Sequence, residues 1–385
     1  MRDRPRLLYL ITEDWYFWSH RVDLARAALK AGYEVIVATR VTDHGEQISA
    51  EGFELAPLGL VRRSHNPFRE LMAITELIRL YRRVKPDVVH HVAMKPILYG
   101  SLAAWCAGVP VVINAFAGLG YTFMDERNRL LRWGMKTALK WVLYLRRSTV
   151  VVQNHDDQNR LVEEGVVAAS HTRIIAGSGI DLAVYSFQPP PVGMPVVVLP
   201  ARMLWDKGIR EFVEAARHLK GNGVSARFIL VGRRDDHNPA AIPESRLVEW
   251  VREGAVEWWG HRDDMLTVYA AATLVVLPSY REGLPKVLLE AAACGKAIVA
   301  TNVPGCREIV QDRFNGLLVA PRNSALLAAA IEELLFNPQM REVMGRRSRD
   351  RVMAEWSGPL IAEQVLSLYH DLMKAPAIDR SHEYV

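Results

Sequence analysis

One local plan occurs twice in this chain, and it limits what the chain can fold into. "RLLYLITEDWYFWSHRVDLARAALKAGYEVIVAT", residues 6–39, runs strand, loop, amphipathic helix, Gly32, strand. "MPVVVLPARMLWDKGIREFVEAARHLKGNGVSARFILVG", residues 194–232, runs strand, loop, helix, Gly221 and Gly223, strand. Each opens a series of apolar strands alternating with helices. "DVVHHV", "PVVINAF" and "STVVVQN" follow the first copy, and "LVVLP", "AIVAT" and "GLLVA" follow the second. Strands this apolar are buried on both faces, so each half predicts a parallel sheet covered by helices. The fold class is α/β, with two Rossmann-like doubly wound domains facing a central cleft. A ligand is expected where the strand C-termini meet that cleft.

Between the halves, "QPPPVGMP", residues 188–195, has four prolines in eight positions and reads as a stiff linker. The expected domains are therefore residues 1–187 and 196–357. A last helix follows at 358–376, possibly crossing back to the first domain. The length of 385 residues suits two domains, and a chain half apolar and 24% charged is globular. Cys106, Cys294 and Cys306 form no CxxC pair, which favours a reducing compartment and argues against zinc. The first apolar run, Leu7 to Ile11, is too short for a signal peptide. The uncharged run from Ile97 to Phe123 is long enough to span a membrane, but its glycines and Pro110 divide it into helix, turn and buried strand.

The net charge of +5 lies wholly in the first half, since residues 1–190 hold 24 Lys/Arg against 19 Asp/Glu and the remainder hold 24 of each. A basic half suits nucleic acid, anionic lipid or a phosphorylated substrate. No nucleic-acid-binding motif accompanies it, so no nucleic-acid partner is expected. Residues 125–148, "DERNRLLRWGMKTALKWVLYLRRS", carry seven Lys/Arg among Leu, Trp, Met and Tyr. Such a helix either lies on an anionic membrane surface or packs on the sheet with its basic residues outward.

The chemistry concentrates in "SYREGLPKVLLEAAACGKAIVAT". A strand ends in a loop, and a helix starts with Pro285 in its first turn and Gly295 just past its end. The helix start is an anion site, Gly283 lets a ligand approach the backbone, and Lys286 adds charge. Glu290 is placed to accept bonds from two ribose hydroxyls, and Glu282 from hydroxyls of a sugar, since a carboxylate presents two acceptor oxygens to a diol. The alternative is a pair of merely solvated glutamates. In "VVVLPARMLWDKGIREF", Arg202 leaves a strand end and Lys207 precedes a helix. Two such cations can stabilise charge on a departing nucleoside diphosphate, or be ordinary surface charges. The acidic pairs Asp156-Asp157, Asp235-Asp236 and Asp263-Asp264 lie at helix starts or turns, and no metal is expected. "AGLGYT" lacks the third glycine of GxGxxG, and no cofactor is expected.

With Arg202, Lys207, Glu282 and Glu290 assembled, the chain resembles the GT-B glycosyltransferases of family 4. The resemblance rests on "ARMLWDKG", "EWWGHRDD", the E-x7-E segment and "GSGID", and covers essentially the whole chain, most clearly residues 174–320. It implies that Arg202 and Lys207 hold the diphosphate, Glu282 the donor sugar and Glu290 the ribose. Amides near Gly283 and Leu284 would touch the phosphates, Pro285 would line the same donor site, and transfer would retain configuration without a metal. "AFAGLGYTF", "VGRRDDHNP" and "EGLPKVLLEAAACGKAIVATNVPGCREIV" look most like a bacterial group that adds α-1,3-N-acetylgalactosamine or related sugars to undecaprenyl-diphosphate-linked saccharides. That implies a UDP-sugar donor, a lipid-linked acceptor, and a peripheral place on the cytoplasmic face of the plasma membrane.

The chain departs from the family in having no glycine-rich loop after its first strand, and in having Ala117 where many relatives place a histidine. His20, His91 and Lys95 are the candidates for touching the acceptor, the histidines alternatively being packed or solvated. Two other readings share the fold, a non-hydrolysing sugar-nucleotide epimerase and a non-catalytic nucleotide-sugar-binding protein.

Overall fold

The computed structural model describes residues 4–61, 66–119, 129–145, 148–235 and 238–375. The chain forms two compact units, one of Met1–Ser178 with Gly358–Val385, the other of Gly179–Ser357. The division thus falls before the Pro-rich stretch at 188–195, which lies in the second unit. There the Gln188 amide donates to Cys294 O at 3.0 Å, and the Lys296 ammonium donates to Pro189 O at 3.2 Å. The final helix, Gly358–Lys374, belongs to the first unit.

The first unit is built on strands β1 (Arg6–Glu13), β2 (Glu34–Arg40), β3 (Glu54–Pro57), β4 (Val88–Val92), β5 (Val111–Ala115), β6 (Thr149–Val152) and β7 (Thr172–Ile174). They lie in the order β3-β2-β1-β4-β5-β6-β7, every neighbouring pair parallel. Alternation along the strands feeds two cores. Leu8, Leu10, Ile36, Ala38 and Val89 join Leu77, Leu80 and Ala104 from the helices Pro67–Val84 and Met94–Ala107. On β1 and β4, Tyr9 pairs in register with His90. Tyr369 of the Gly358–Lys374 helix closes over this pair, its hydroxyl 3.0 Å from that of Tyr9 and 2.6 Å from His90 Nδ1. The glycine-free segment after β1, expected as a loop, is the short helix Asp14–His20, which Asp14 opens. The buried Asp14 carboxylate accepts the amides of Thr42, Asp43 and His44 at 2.7–2.9 Å, fastening the helix start to the turn after β2.

The second unit has β8 (Val196–Pro200), β9 (Arg227–Val231), β10 (Glu257–Trp258), β11 (Leu274–Leu277), β12 (Ala297–Thr301) and β13 (Gly316–Val319). Their order is β10-β9-β8-β11-β12-β13, again all parallel. Both sheets are doubly wound as expected. The order reverses between β1 and β4 in one and between β8 and β11 in the other, the kind of switch point at which open α/β sheets bind ligands.

The uncharged run from Ile97 is divided between the Met94–Ala107 helix and β5, and its residues 120–123 lie outside those described. Among the described residues no helix is long and apolar enough to cross a membrane. Tyr369 is fully buried. Tyr369→Ala deletes its ring and both hydrogen bonds, at an expected cost of about 3–5 kcal/mol. Urea unfolding followed by hydrogen exchange checks this, with protection lost in β1 and β4 and kept in β8 and β11.

Candidate active site

Two loops leave the switch point of the second unit side by side, one after β8 and one after β11. The β8 loop is tied down by its backbone, Met203 N donating to Arg233 O at 3.1 Å and Trp205 N to Ala240 O at 2.9 Å. It ends in the short turn Trp205–Lys207 and Gly208, whose φ of +70° favours glycine. A Cβ on Gly208 would lie 2.1 Å from Pro278 O, so only glycine lets the loops approach this closely. A second tie runs from Tyr280 N to Asp206 O at 2.9 Å.

These ties bring Lys207 and Glu282 together. The Lys207 ammonium donates to Glu282 Oε1 at 2.6 Å, with both side chains largely enclosed, 16% and 12% exposed. Arg202 turns to a third loop, and its Nη1 donates to Asp235 Oδ2 at 2.8 Å. Gly283 backs onto Gly305, where a Cβ would stand 2.4 Å from Gly283 O. Pro285 is the N-cap of the Lys286–Ala293 helix, one position earlier than expected, with Gly295 beyond the helix end at φ +70°.

Glu290 lies inside that helix and is 5% exposed. Its carboxylate accepts the Tyr185 hydroxyl at 3.0 Å and the Tyr269 hydroxyl at 2.8 Å, and the Lys286 ammonium is 3.8 Å away. Burial raises its pKa above the ordinary value, against the opposing pull of Lys286 and the two hydroxyls. Asp235, part of an acidic pair at sequence level, serves Arg202 instead, and Asp236 lies outside the described residues. Among the described residues no three His, Cys, Asp or Glu side chains gather as a metal set.

The acceptor candidates of the first unit are not gathered in this way. His91 is fully buried, its Nε2 3.0 Å from the Tyr81 hydroxyl and its Nδ1 2.8 Å from Asn114 Oδ1. Burial takes its pKa down to about 4. With both nitrogens engaged in the core, His91 is a packing histidine and no acceptor contact. Lys95 is half-buried and already paired, donating to Val61 O at 2.7 Å and Glu70 Oε1 at 2.9 Å. His20 ends the Asp14–His20 helix, stacked on Tyr16 at 4.2 Å with its Nδ1 2.6 Å from the Ser19 hydroxyl.

The basic segment forms the helix Arg129–Leu145, with 125–128 and 146–147 outside the described residues. It buries Leu139, Val142 and Leu143 and exposes Trp133, Trp141 and Tyr144.

Residues 6–154 match the family described as glycosyl transferase 4-like, and residues 194–337 match glycosyl transferases group 1. The chain belongs to the family 4 glycosyltransferases. It is 28% identical to the N,N'-diacetylbacillosaminyl-diphospho-undecaprenol α-1,3-N-acetylgalactosaminyltransferase of Campylobacter jejuni, across 92% of this chain and 95% of that one. It is 21% identical to the UDP-Gal:α-D-GlcNAc-diphosphoundecaprenol α-1,3-galactosyltransferase of Escherichia coli, across 81% and 82%. The solved sucrose-phosphate synthase of Thermosynechococcus elongatus superposes with a TM-score of 0.81 at 22% identity, covering 97% of this chain and all of that one, which shows the GT-B fold.

In this glycosyltransferase, sequence reasoning missed the residues that hold the E-x7-E pair in place. Tyr185 and Tyr269 clamp Glu290 from 105 and 21 positions away. The Tyr280 hydroxyl donates to Glu211 Oε1 at 2.7 Å and fixes the loop that carries Glu282. No motif marks them, because each acts through tertiary contact. The raised Glu290 carboxyl has a thermodynamic consequence. The folded state holds a proton where the unfolded chain, near 4.5, has already released it. Stability therefore falls as pH rises from that value through the folded one. Glu290→Gln is expected to flatten this fall, as measured by urea unfolding at a series of pH values.

Proposed function

We propose that this glycosyltransferase moves a sugar from a UDP-sugar to a saccharide carried on a polyprenyl diphosphate, with retention at the anomeric carbon and without a divalent ion. One observation carries the reading, the meeting of Lys207 and Glu282 at 2.6 Å between the β8 and β11 loops. A cation suited to a diphosphate and a carboxylate suited to sugar hydroxyls stand together at a switch point. As the anomeric C–O bond breaks, its electron pair stays on the diphosphate. Lys207 stabilises that charge and Arg202, held by Asp235, adds a second cation. The acceptor hydroxyl forms the new bond and its proton passes to the departing diphosphate. Glu282 orients the sugar, Glu290 reads the ribose, and amides near Gly283 and Leu284 meet the phosphates, with Pro285 lining the same donor site. No protein nucleophile is assigned.

The names of the relatives support the substrates, one being named for a diphospho-undecaprenol acceptor and the other for UDP-galactose with an acceptor of that kind. A lipid-linked acceptor calls for a peripheral place at the cytoplasmic face of the membrane. Trp133, Thr137, Trp141 and Tyr144 fall on one stripe of the Arg129–Leu145 helix, and all four are exposed. Aromatic rings with a polar edge suit the headgroup layer, and Lys140 beside them is exposed too.

Lys207→Ala and Glu282→Ala should each lower transfer from a UDP-sugar to a polyprenyl-diphosphate-linked saccharide by about 10²–10³-fold. Circular dichroism should show both variants folded, EDTA should leave the wild-type rate unchanged, and donor alone should yield no epimerised sugar nucleotide. Transfer at wild-type rate by either variant would remove the assignment. Replacing Trp133 and Trp141 together by Ala should weaken sedimentation with anionic vesicles several-fold while sparing transfer to a short, soluble acceptor.

A further inference from the structure

The first unit holds a buried arginine that no acid among the described residues neutralises. Arg21 joins the Asp14–His20 helix to the Val22–Lys30 helix and is only 5% exposed. Among the described residues its guanidinium makes no hydrogen bond and no ion pair, and Nε is sealed from solvent without a partner. Asp23, two residues on, is turned to Arg26 at 2.8 Å. Removing one partner of a buried ion pair is strongly destabilising, so a lone buried guanidinium calls for an anion.

The groups around Arg21 are also short of acceptors. Tyr9, Tyr369 and His90 form a chain of two hydrogen bonds, at 3.0 and 2.6 Å. His90 is neutral, because burial and then the Arg21 charge hold its pKa well below the ordinary value. Two hydroxyl hydrogens and one ring hydrogen thus serve two bonds, and one donor is left over whichever tautomer is drawn. When the hydroxyls donate along the chain toward Nδ1, the surplus falls on His90 Nε2, which is buried without a partner. Arg21 also acts electrostatically on Tyr9 and Tyr369, so charge and surplus donor share one neighbourhood.

We propose that Arg21 and His90, beneath the Gly358–Lys374 helix, form a binding site for a phosphate oxyanion. A tetrahedral oxyanion supplies negative charge to the guanidinium fork and a further oxygen to the leftover donor in a different direction. A halide has no such directional oxygens, and a water brings no charge. The ion comes either from free phosphate or from the diphosphate of a lipid-linked molecule. This site shares no residue with the candidate active site of the second unit.

The test is thermal unfolding of the full chain against inorganic phosphate at fixed ionic strength, for wild type and Arg21→Met. Wild type should rise saturably by about 3–6 °C. Arg21→Met should lose most of that rise, and the part it keeps reports phosphate bound elsewhere. Should Arg21→Met not fold, Arg21→Lys should keep the response with its half-saturation moved to higher phosphate. A soluble short-chain prenyl diphosphate forms the second arm. An Arg21-dependent rise at lower concentration than phosphate identifies a lipid headgroup, and a rise with phosphate alone identifies the free ion. Equal responses of wild type and the Arg21 variants to both compounds, or a crystal grown in phosphate with only water between Arg21 and His90, would overturn the proposal.

Discussion

The hydrogen bond between Lys207 and Glu282 sets the terms for the rest of the second unit. Both groups are charged and both are largely enclosed, so either one alone would be left as a poorly solvated charge. Keeping them together demands that two loops from different strands hold their spacing. The backbone meets that demand through Tyr280 N on Asp206 O and through the Gly208 turn pressed against Pro278. An ammonium has three donors, and Lys207 spends one on Glu282, so under the proposed function a diphosphate would not have to break the pair. Under the proposed function the pair would also hold the carboxylate in one position for a sugar, which lowers the ordering cost of binding.

The sequence made the architecture legible to a definite depth. Strands such as β8 and β11 are covered on both faces and read as unbroken apolar runs, while β4, β5 and β12 are apolar but for His90, His91, Asn114 and Thr301. The edge strands β3, β7 and β10 went unread because they are two to four residues long and partly exposed, which leaves too little pattern to recognise. The division between units was read too late. Prolines mark where regular structure is excluded, and they say nothing of which body holds the stretch. Phe187 lies against Gly295 and the Lys296 ammonium holds Pro189 O, contacts made a hundred residues away.

The site was legible where its geometry is local. A strand, a glycine-containing turn and a helix start are contiguous in "TLVVLPSYREGLPKVLLE", so Glu282, Gly283 and Glu290 could be placed relative to one another. The partner of Arg202 and the two tyrosines on Glu290 lie in other segments, and no spacing rule reaches them. The histidines of β4 show the same boundary from the other side. His90 and His91 are neighbours in a strand, so they face opposite helical layers. A strand buried on both faces gives no sign that its polar residues are inside as well. His91 is satisfied by Tyr81 and Asn114, under Gly100, where a Cβ would stand 2.6 Å from its ring.

Charge counting locates an excess, and pairing shows which charges make it up. The first half carries all of the net positive charge, yet several of its cations are already committed. Arg6 pairs with Glu34, Arg26 with Glu51, Lys95 with Glu70 and Lys136 with Glu164. An exposed cation without a partner is neutralised by solvent and salt at little cost. A buried one has neither, so the same unit of charge matters far more at Arg21 than at any residue on the surface. The basic balance of this half is therefore two different quantities, a diffuse charge on the surface and one buried cation, Arg21, that no acid among the described residues pairs.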